Sequence, residues 1–101
     1  MITDFQNDNR HRVMDFSNAH YLGELYQTIK QVLELPEWTG ENLDALWDSL
    51  TGIMYVPADI EIIYHPKTKQ SEALRACVLE IVSVFQEAEQ EYHEFTLHVD
   101  L

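Results

Sequence analysis

A chain of 101 residues, 46% of them hydrophobic, can form one domain with a modest core. Its 18 aspartates and glutamates against 6 lysines and arginines give a formal net charge of −12, which argues against binding nucleic acid or an anionic membrane surface. The single cysteine, Cys77, excludes an intramolecular disulfide and suits a reducing compartment.

No basic-then-apolar segment opens the sequence, and no apolar run approaches the roughly 18 residues of a membrane span. We therefore expect a cytoplasmic protein that is monomeric when free. Residues 1–9 are predicted to form a flexible N-terminal extension, and residues 10–101 are predicted to form one domain.

Three short strands are predicted from local hydrophobic patterns. The first covers His11–Phe16, where the pattern alternates. The second covers Asp59–Tyr64, between two prolines, and the third covers Phe95–Val99. Helices separate these strands, so the connections are crossovers, and we predict a small α/β domain with a three-stranded parallel sheet.

Two of the predicted helices flank the central part of the chain. One follows a cap at Ser17 or Asn18 and ends before Pro36. The other is long, from about Ser71 to Tyr92, with an apolar face that Cys77 borders. We interpret Cys77 as a small buried hydrophobe rather than a reactive thiol.

The middle helix, Leu43–Leu50, is predicted to begin at the cap Asn42 and to end at Gly52 in a left-handed conformation. At about 100° per residue, Asp44 and Asp48 share one sector beside the apolar stripe. Like charges four residues apart repel, and an anion late in a helix opposes the helix dipole. A charge kept where it is locally unfavourable indicates a partner.

The acidic residues lack basic neighbours in the sequence. No lysine or arginine lies between residues 31 and 66, so intrahelical salt bridges do not explain the acids there. On the long helix a second acidic sector contains Glu80, Glu87 and Glu91. Two such faces favour a basic partner over the simpler alternative, a solvated surface.

Neither catalysis nor metal binding is predicted. Catalytic carboxylates need environments that separate their pKa values, usually in a cleft, whereas these share an exposed stripe. There is no DxDxDG calcium loop, one cysteine makes a structural zinc site implausible, and no cofactor is implied. The histidines are scattered along the chain: His11, His20, His65, His93 and His98.

The segment LPEWTGENLDALWDSLTG, residues 35–52, closely resembles the barstar family of intracellular ribonuclease inhibitors. A weaker similarity extends over residues 12–100, including ELYQTIK before this segment and VFQEA in the long helix. The resemblance implies a small α/β domain with about four helices. It also implies an inhibitor that presents an acidic helix to a basic ribonuclease, either barnase-like or a toxin domain.

The resemblance assigns roles to individual residues. Asp48 matches the dominant carboxylate, which occupies a substrate phosphate position, and Asp44 matches a second acidic contact. Trp38 stands where the family has a tyrosine that stacks on a catalytic histidine. Further matches are Glu87 and Glu91 on the long helix, Thr51 and Gly52 at the end of the middle helix, and the flanking Asn42 and Trp47.

Three departures and one shared feature qualify the resemblance. Ile53 replaces an exposed tryptophan, Ser49 replaces a cysteine, and the extension over residues 1–9 has no counterpart. The Val56–Pro57 bond aligns with a cis bond, so a cis bond is a hypothesis here.

Three functional hypotheses remain open from the sequence. The first is a stoichiometric inhibitor, or immunity protein, that plugs a ribonuclease active site, for which Asp48→Ala is the most damaging change. The alternative is an acidic interaction module, or nucleic-acid mimic, that binds a basic partner other than a nuclease. An enzyme using the carboxylates is the third.

Overall fold

The computed structural model describes residues 11–52, 59–92 and 95–101. Its elements, in chain order, are β1 (His11–Asp15), α1 (Leu22–Leu33), α2 (Leu43–Thr51), β2 (Asp59–Ile63), α3 (Glu72–Tyr92) and β3 (Thr96–Asp100). The strands form one sheet in the order β1-β2-β3, with both neighbouring pairs parallel. The predicted α/β class and the parallel three-stranded sheet are therefore confirmed.

The expectation of about four helices was wrong for the described residues, which contain three. The segment between α1 and α2 does not form a helix of its own. Pro36 disfavours helical backbone in the residue before it, and the segment closes only one turn, in which the Thr39 amide donates to the Pro36 carbonyl at 3.0 Å. The predicted extension, Ile53, His93 and the Val56–Pro57 bond lie outside the described residues.

The start of α1 differs from the prediction, whereas its end at Leu33, before Pro36, agrees with it. The residue preceding α1 is Tyr21, in extended backbone and without a side-chain cap, so a cap at Ser17 or Asn18 was wrong. Ser17 has another partner, because its hydroxyl oxygen accepts a hydrogen bond from the His65 amide at 2.7 Å. At the other end, Glu34 adopts the left-handed conformation with φ 56°.

The core lies between one face of the sheet and the helices. Met14, Ile60 and Ile62 from the sheet are fully buried, and so are Leu25 of α1 and Phe85 of α3. The other sheet face is accessible in the described residues, and polar side chains dominate it. Asp59 on the central strand, for example, pairs in register with His11 on one side and with Thr96 on the other. The described helices therefore pack on one side of the sheet, and α2 lies against α3.

A search of the described residues for a helix long and apolar enough to cross a membrane found none.

Candidate functional site

The orientation of α2 exposes its two aspartates. Leu46 and Leu50 on one side of the helix are each 2% exposed, because they pack into the core. Asp44 in the first turn and Asp48 in the last turn are both exposed. The predicted cap at Asn42 is confirmed, since its side-chain oxygen accepts a hydrogen bond from the Ala45 amide at 2.8 Å. Cap and apolar stripe together hold the carboxylates towards solvent.

Trp38 is the most exposed large hydrophobic residue described, at 84% of its surface. It lies in the loop between α1 and α2. Trp38 and Asp48 line the same shallow depression of about 250 Å³, whose floor includes Gly40, Ala45 and Ser49. Trp38 and Asp48 therefore lie on one exposed surface.

Asp44 faces a second depression, of about 380 Å³, which it shares with Glu41 of the loop and Glu80 of α3. Tyr26 also lines it, and burial raises the pKa of the Tyr26 hydroxyl above its usual value, with nearby Cys77, Glu80 and Glu41 adding to the effect. Glu80, Glu87 and Glu91 all lie on the single helix α3, and Glu80 is the member of this predicted sector that lies beside Asp44.

An aromatic contact fixes the C-terminal ends of α2 and α3 against each other. The rings of Trp47 and Tyr92 meet edge to face, with centroids 6.0 Å apart and planes at 68°. Trp47 is half-buried and packs against the core. Glu87 and Glu91 are exposed on α3, before this contact, and line neither depression.

The last residues of α2 have structural constraints of their own. The Thr51 hydroxyl donates to the Trp47 carbonyl at 2.8 Å, so it is already bonded within the helix. Gly52 was predicted to be left-handed, which was wrong: its φ is −100° and its ψ is −132°. A side chain is excluded there for another reason, because a Cβ atom would lie 2.5 Å from the Asp48 carbonyl oxygen.

Two acids of the loop region have cationic partners that sequence reasoning missed. Lys30 Nζ lies 3.1 Å from Glu41 Oε2, and Arg12 Nη2 lies 3.1 Å from Glu34 Oε2. One available signal was the position of Lys30, four residues after the buried Tyr26 and three before the buried Leu33. Four of the predicted site acids have no ion pair among the described residues: Asp44, Asp48, Glu87 and Glu91. Their negative charge is therefore free to interact with a partner.

The depression at the carboxyl end of β2 has the opposite character. It measures about 430 Å³ and is lined by Lys69 and Arg75 together with Tyr64, Leu79 and Leu101. Glu72 also lines it, so this lining contains two cations and one anion. Within the described part of the chain, no group of three potential metal ligands is assembled.

Residues 9–101 match the model of the family described as Barstar (barnase inhibitor). This chain belongs to the barstar family. A Bacillus subtilis (strain 168) protein named "Putative ribonuclease inhibitor YrdF" is 32% identical over 77 residues, which are 76% of this chain and 79% of that protein. Barstar-family proteins are inhibitors and not enzymes, so the hypothesis of an enzyme using the carboxylates is excluded.

Proposed function

We propose that this barstar-family chain is a stoichiometric inhibitor that plugs the active site of a small basic ribonuclease, as an immunity protein for the cell that contains it. The observation that carries the proposal is the surface formed by Asp48 and Trp38. The carboxylate of Asp48 is exposed and has no ion pair among the described residues, and it borders the same depression as an 84%-exposed aromatic ring.

A ribonuclease active site holds phosphate with arginine, lysine and histidine side chains, so a carboxylate on a rigid helix can replace the substrate's anion. Asp48 suits this role because it opposes the dipole at the end of α2, and a cation arriving there removes that local cost. Barnase and barstar are the standard example of partners that are steered together by charge. We expect the same behaviour here because the chain belongs to this family.

In this proposal Asp44 supplies a second anionic contact, and Trp38 stacks on a ring of the partner. Glu87 and Glu91 extend the acidic surface along α3. The remaining positions support the contact: Asn42 caps α2, Trp47 packs it against α3, and Thr51 and Gly52 close its end. The inhibitory unit is residues 10–101 acting as a monomer in the cytoplasm, with residues 1–9 as an extension.

Titration into a barnase-type ribonuclease, with RNA cleavage as the readout, tests the proposal. We expect inhibition that saturates at one molecule per enzyme. Asp48→Ala should weaken binding at least about 30-fold, the effect of losing a contact worth 2 kcal/mol or more. Glu72→Ala is the matched control, because it removes the same charge from an exposed position beside the basic depression.

Equal losses in Asp48→Ala and Glu72→Ala would assign the effect to net charge and contradict the plug. Failure of the unaltered protein to inhibit basic ribonucleases would favour the alternative, an acidic module for a basic partner that is not a nuclease.

A further inference from the structure

We infer that Lys30 is a positioning residue for the proposed inhibitory surface: its buried ammonium group holds both stems of the loop that displays Trp38. That loop, residues 35–41, is the presenting loop. The inference rests on the proposed function for the role of Trp38, but the anchoring itself concerns the free protein.

Lys30 lies in the last turn of α1 and is only 6% exposed. Its Nζ donates to the backbone carbonyl of Glu37 at 3.2 Å and to the carboxylate of Glu41 at 3.1 Å. Glu37 immediately precedes Trp38, and Glu41 immediately precedes the cap Asn42. One cation therefore joins the stem before the tryptophan to the stem that starts α2.

The other hydrogen bonds of the presenting loop do not join its first part to Glu41 as Lys30 does. The Leu35 amide donates to the Lys30 carbonyl at 2.8 Å, and the Thr39 amide donates to the Pro36 carbonyl at 3.0 Å. The first bond is local to the stem before Trp38, and the second closes a turn around Trp38 without reaching Glu41. At the stem that starts α2, the Gln27 amide reaches Glu41 only at 3.5 Å. Without Lys30, no comparably short hydrogen bond among the described residues joins the turn around Trp38 to Glu41.

Because Trp38 is 84% exposed, packing of its own ring cannot determine where the ring lies. Its position follows from the backbone, and Lys30 acts on that backbone. Lys30 itself is buried under the loop, so it cannot contact a partner directly. We therefore expect the effect of Lys30 on inhibition to pass through the presenting loop.

The choice of a lysine here has a physical cost. Burying an ammonium group requires desolvation, and an apolar residue of similar volume in place of a buried ion pair is often as stable or more so. The position at the C-terminal end of α1 recovers part of this cost through the helix dipole. A buried charge has a function here if it orders the presenting loop before a partner binds. A loop that became ordered only on binding would lower the affinity.

The first experiment measures the free protein by amide hydrogen exchange in NMR. The variants are Lys30→Met, Glu41→Gln as a second way to weaken the link, and Lys67→Met as a control that removes an exposed lysine. We expect exchange of the Thr39 and Ala45 amides to rise roughly tenfold or more relative to core amides of α3 in the first two variants, and to stay unchanged in the control. Unchanged protection in both Lys30→Met and Glu41→Gln would overturn the inference.

The second experiment is a double-mutant cycle on ribonuclease inhibition. Lys30→Met should weaken inhibition roughly tenfold when Trp38 is present, and by less than about twofold in a Trp38→Ala background, because the loss passes through that ring. Equal losses in both backgrounds would show a general structural effect and overturn the positioning role. If the unaltered protein inhibits no ribonuclease, the proposed function fails, whereas amide exchange still decides whether Lys30 holds the loop.

Discussion

At the level of single residues, Gly52 is required at the end of α2 because there is no space for a Cβ atom. Glycine at a helix end usually supplies a left-handed conformation, yet here φ is −100°, which every residue type can adopt. The restriction is steric, because an added Cβ would meet the Asp48 carbonyl oxygen at 2.5 Å. Asp48, whose side chain makes the main proposed contact, is thus also the residue whose carbonyl oxygen requires glycine at position 52.

We therefore expect Gly52→Ala to shift the end of α2 and lower the free energy of unfolding by about 1–3 kcal/mol, the usual cost of forcing an atom into occupied space. Gly23→Ala is the matched control. Gly23 lies inside α1, and its added Cβ would only make ordinary contact with Tyr21 at 3.5 Å. This control should raise stability by up to about 1 kcal/mol.

Urea unfolding of both variants measures the two changes. Equal stabilities for Gly52→Ala and the unaltered protein would mean that the helix end relaxes without cost, and would remove the steric explanation.

At the level of single elements, α2 has one side that is exposed for binding and one side that packs against the core. A tryptophan lies near each side, Trp38 in the preceding loop and Trp47 within the helix. Trp38, before α2, is almost fully exposed and contributes little to the core. Trp47, within α2, meets Tyr92 of α3 edge to face and is half-buried. Binding and stability should therefore be separable between these two residues.

Trp47→Ala should lower the free energy of unfolding by about 2–3 kcal/mol, below the usual range for a fully buried tryptophan because the ring is half-buried. Trp38→Ala should change stability by less than about 0.5 kcal/mol, yet weaken ribonuclease inhibition. Thermal or urea unfolding, together with inhibition titrations of the same two variants, gives the comparison. A large stability loss in Trp38→Ala would show that its ring supports the fold.

At the scale of the whole molecule, a net charge of −12 remains largely uncompensated. Lysine and arginine pair with only two acids among the described residues, Glu34 and Glu41. The exposed acids without an ion pair among the described residues include Asp44, Asp48, Glu87 and Glu91. Mutual repulsion should therefore destabilise the free protein and attract a basic partner.

Raising the salt concentration should act in opposite directions on these two properties. Between about 50 mM and 500 mM salt, we expect the free protein to become more stable, because screening reduces its self-repulsion. Association with a basic ribonuclease should become slower over the same range, since long-range attraction is screened. Thermal unfolding and stopped-flow association measure the two effects. An association rate independent of salt would contradict electrostatic steering.

Much of the fold was predictable because local physics decides it. Strand and helix periodicities placed all six elements to within a few residues, and the side chain of Asn42 made its cap predictable. Residues 35–52 alone indicated the family that residues 9–101 then matched. These features depend on neighbours in the chain, so the amino-acid order by itself determines them.

Tertiary structure decided the features that join distant residues. Glu41 and Glu34 appeared to lack cations because their partners, Lys30 and Arg12, lie 11 and 22 residues away in the chain. The position of Glu80 beside Asp44, and the reason for glycine at position 52, likewise depend on where the helices pack and end. Periodicity describes one element at a time, whereas ion pairs and close contacts form where the folded backbone brings elements together.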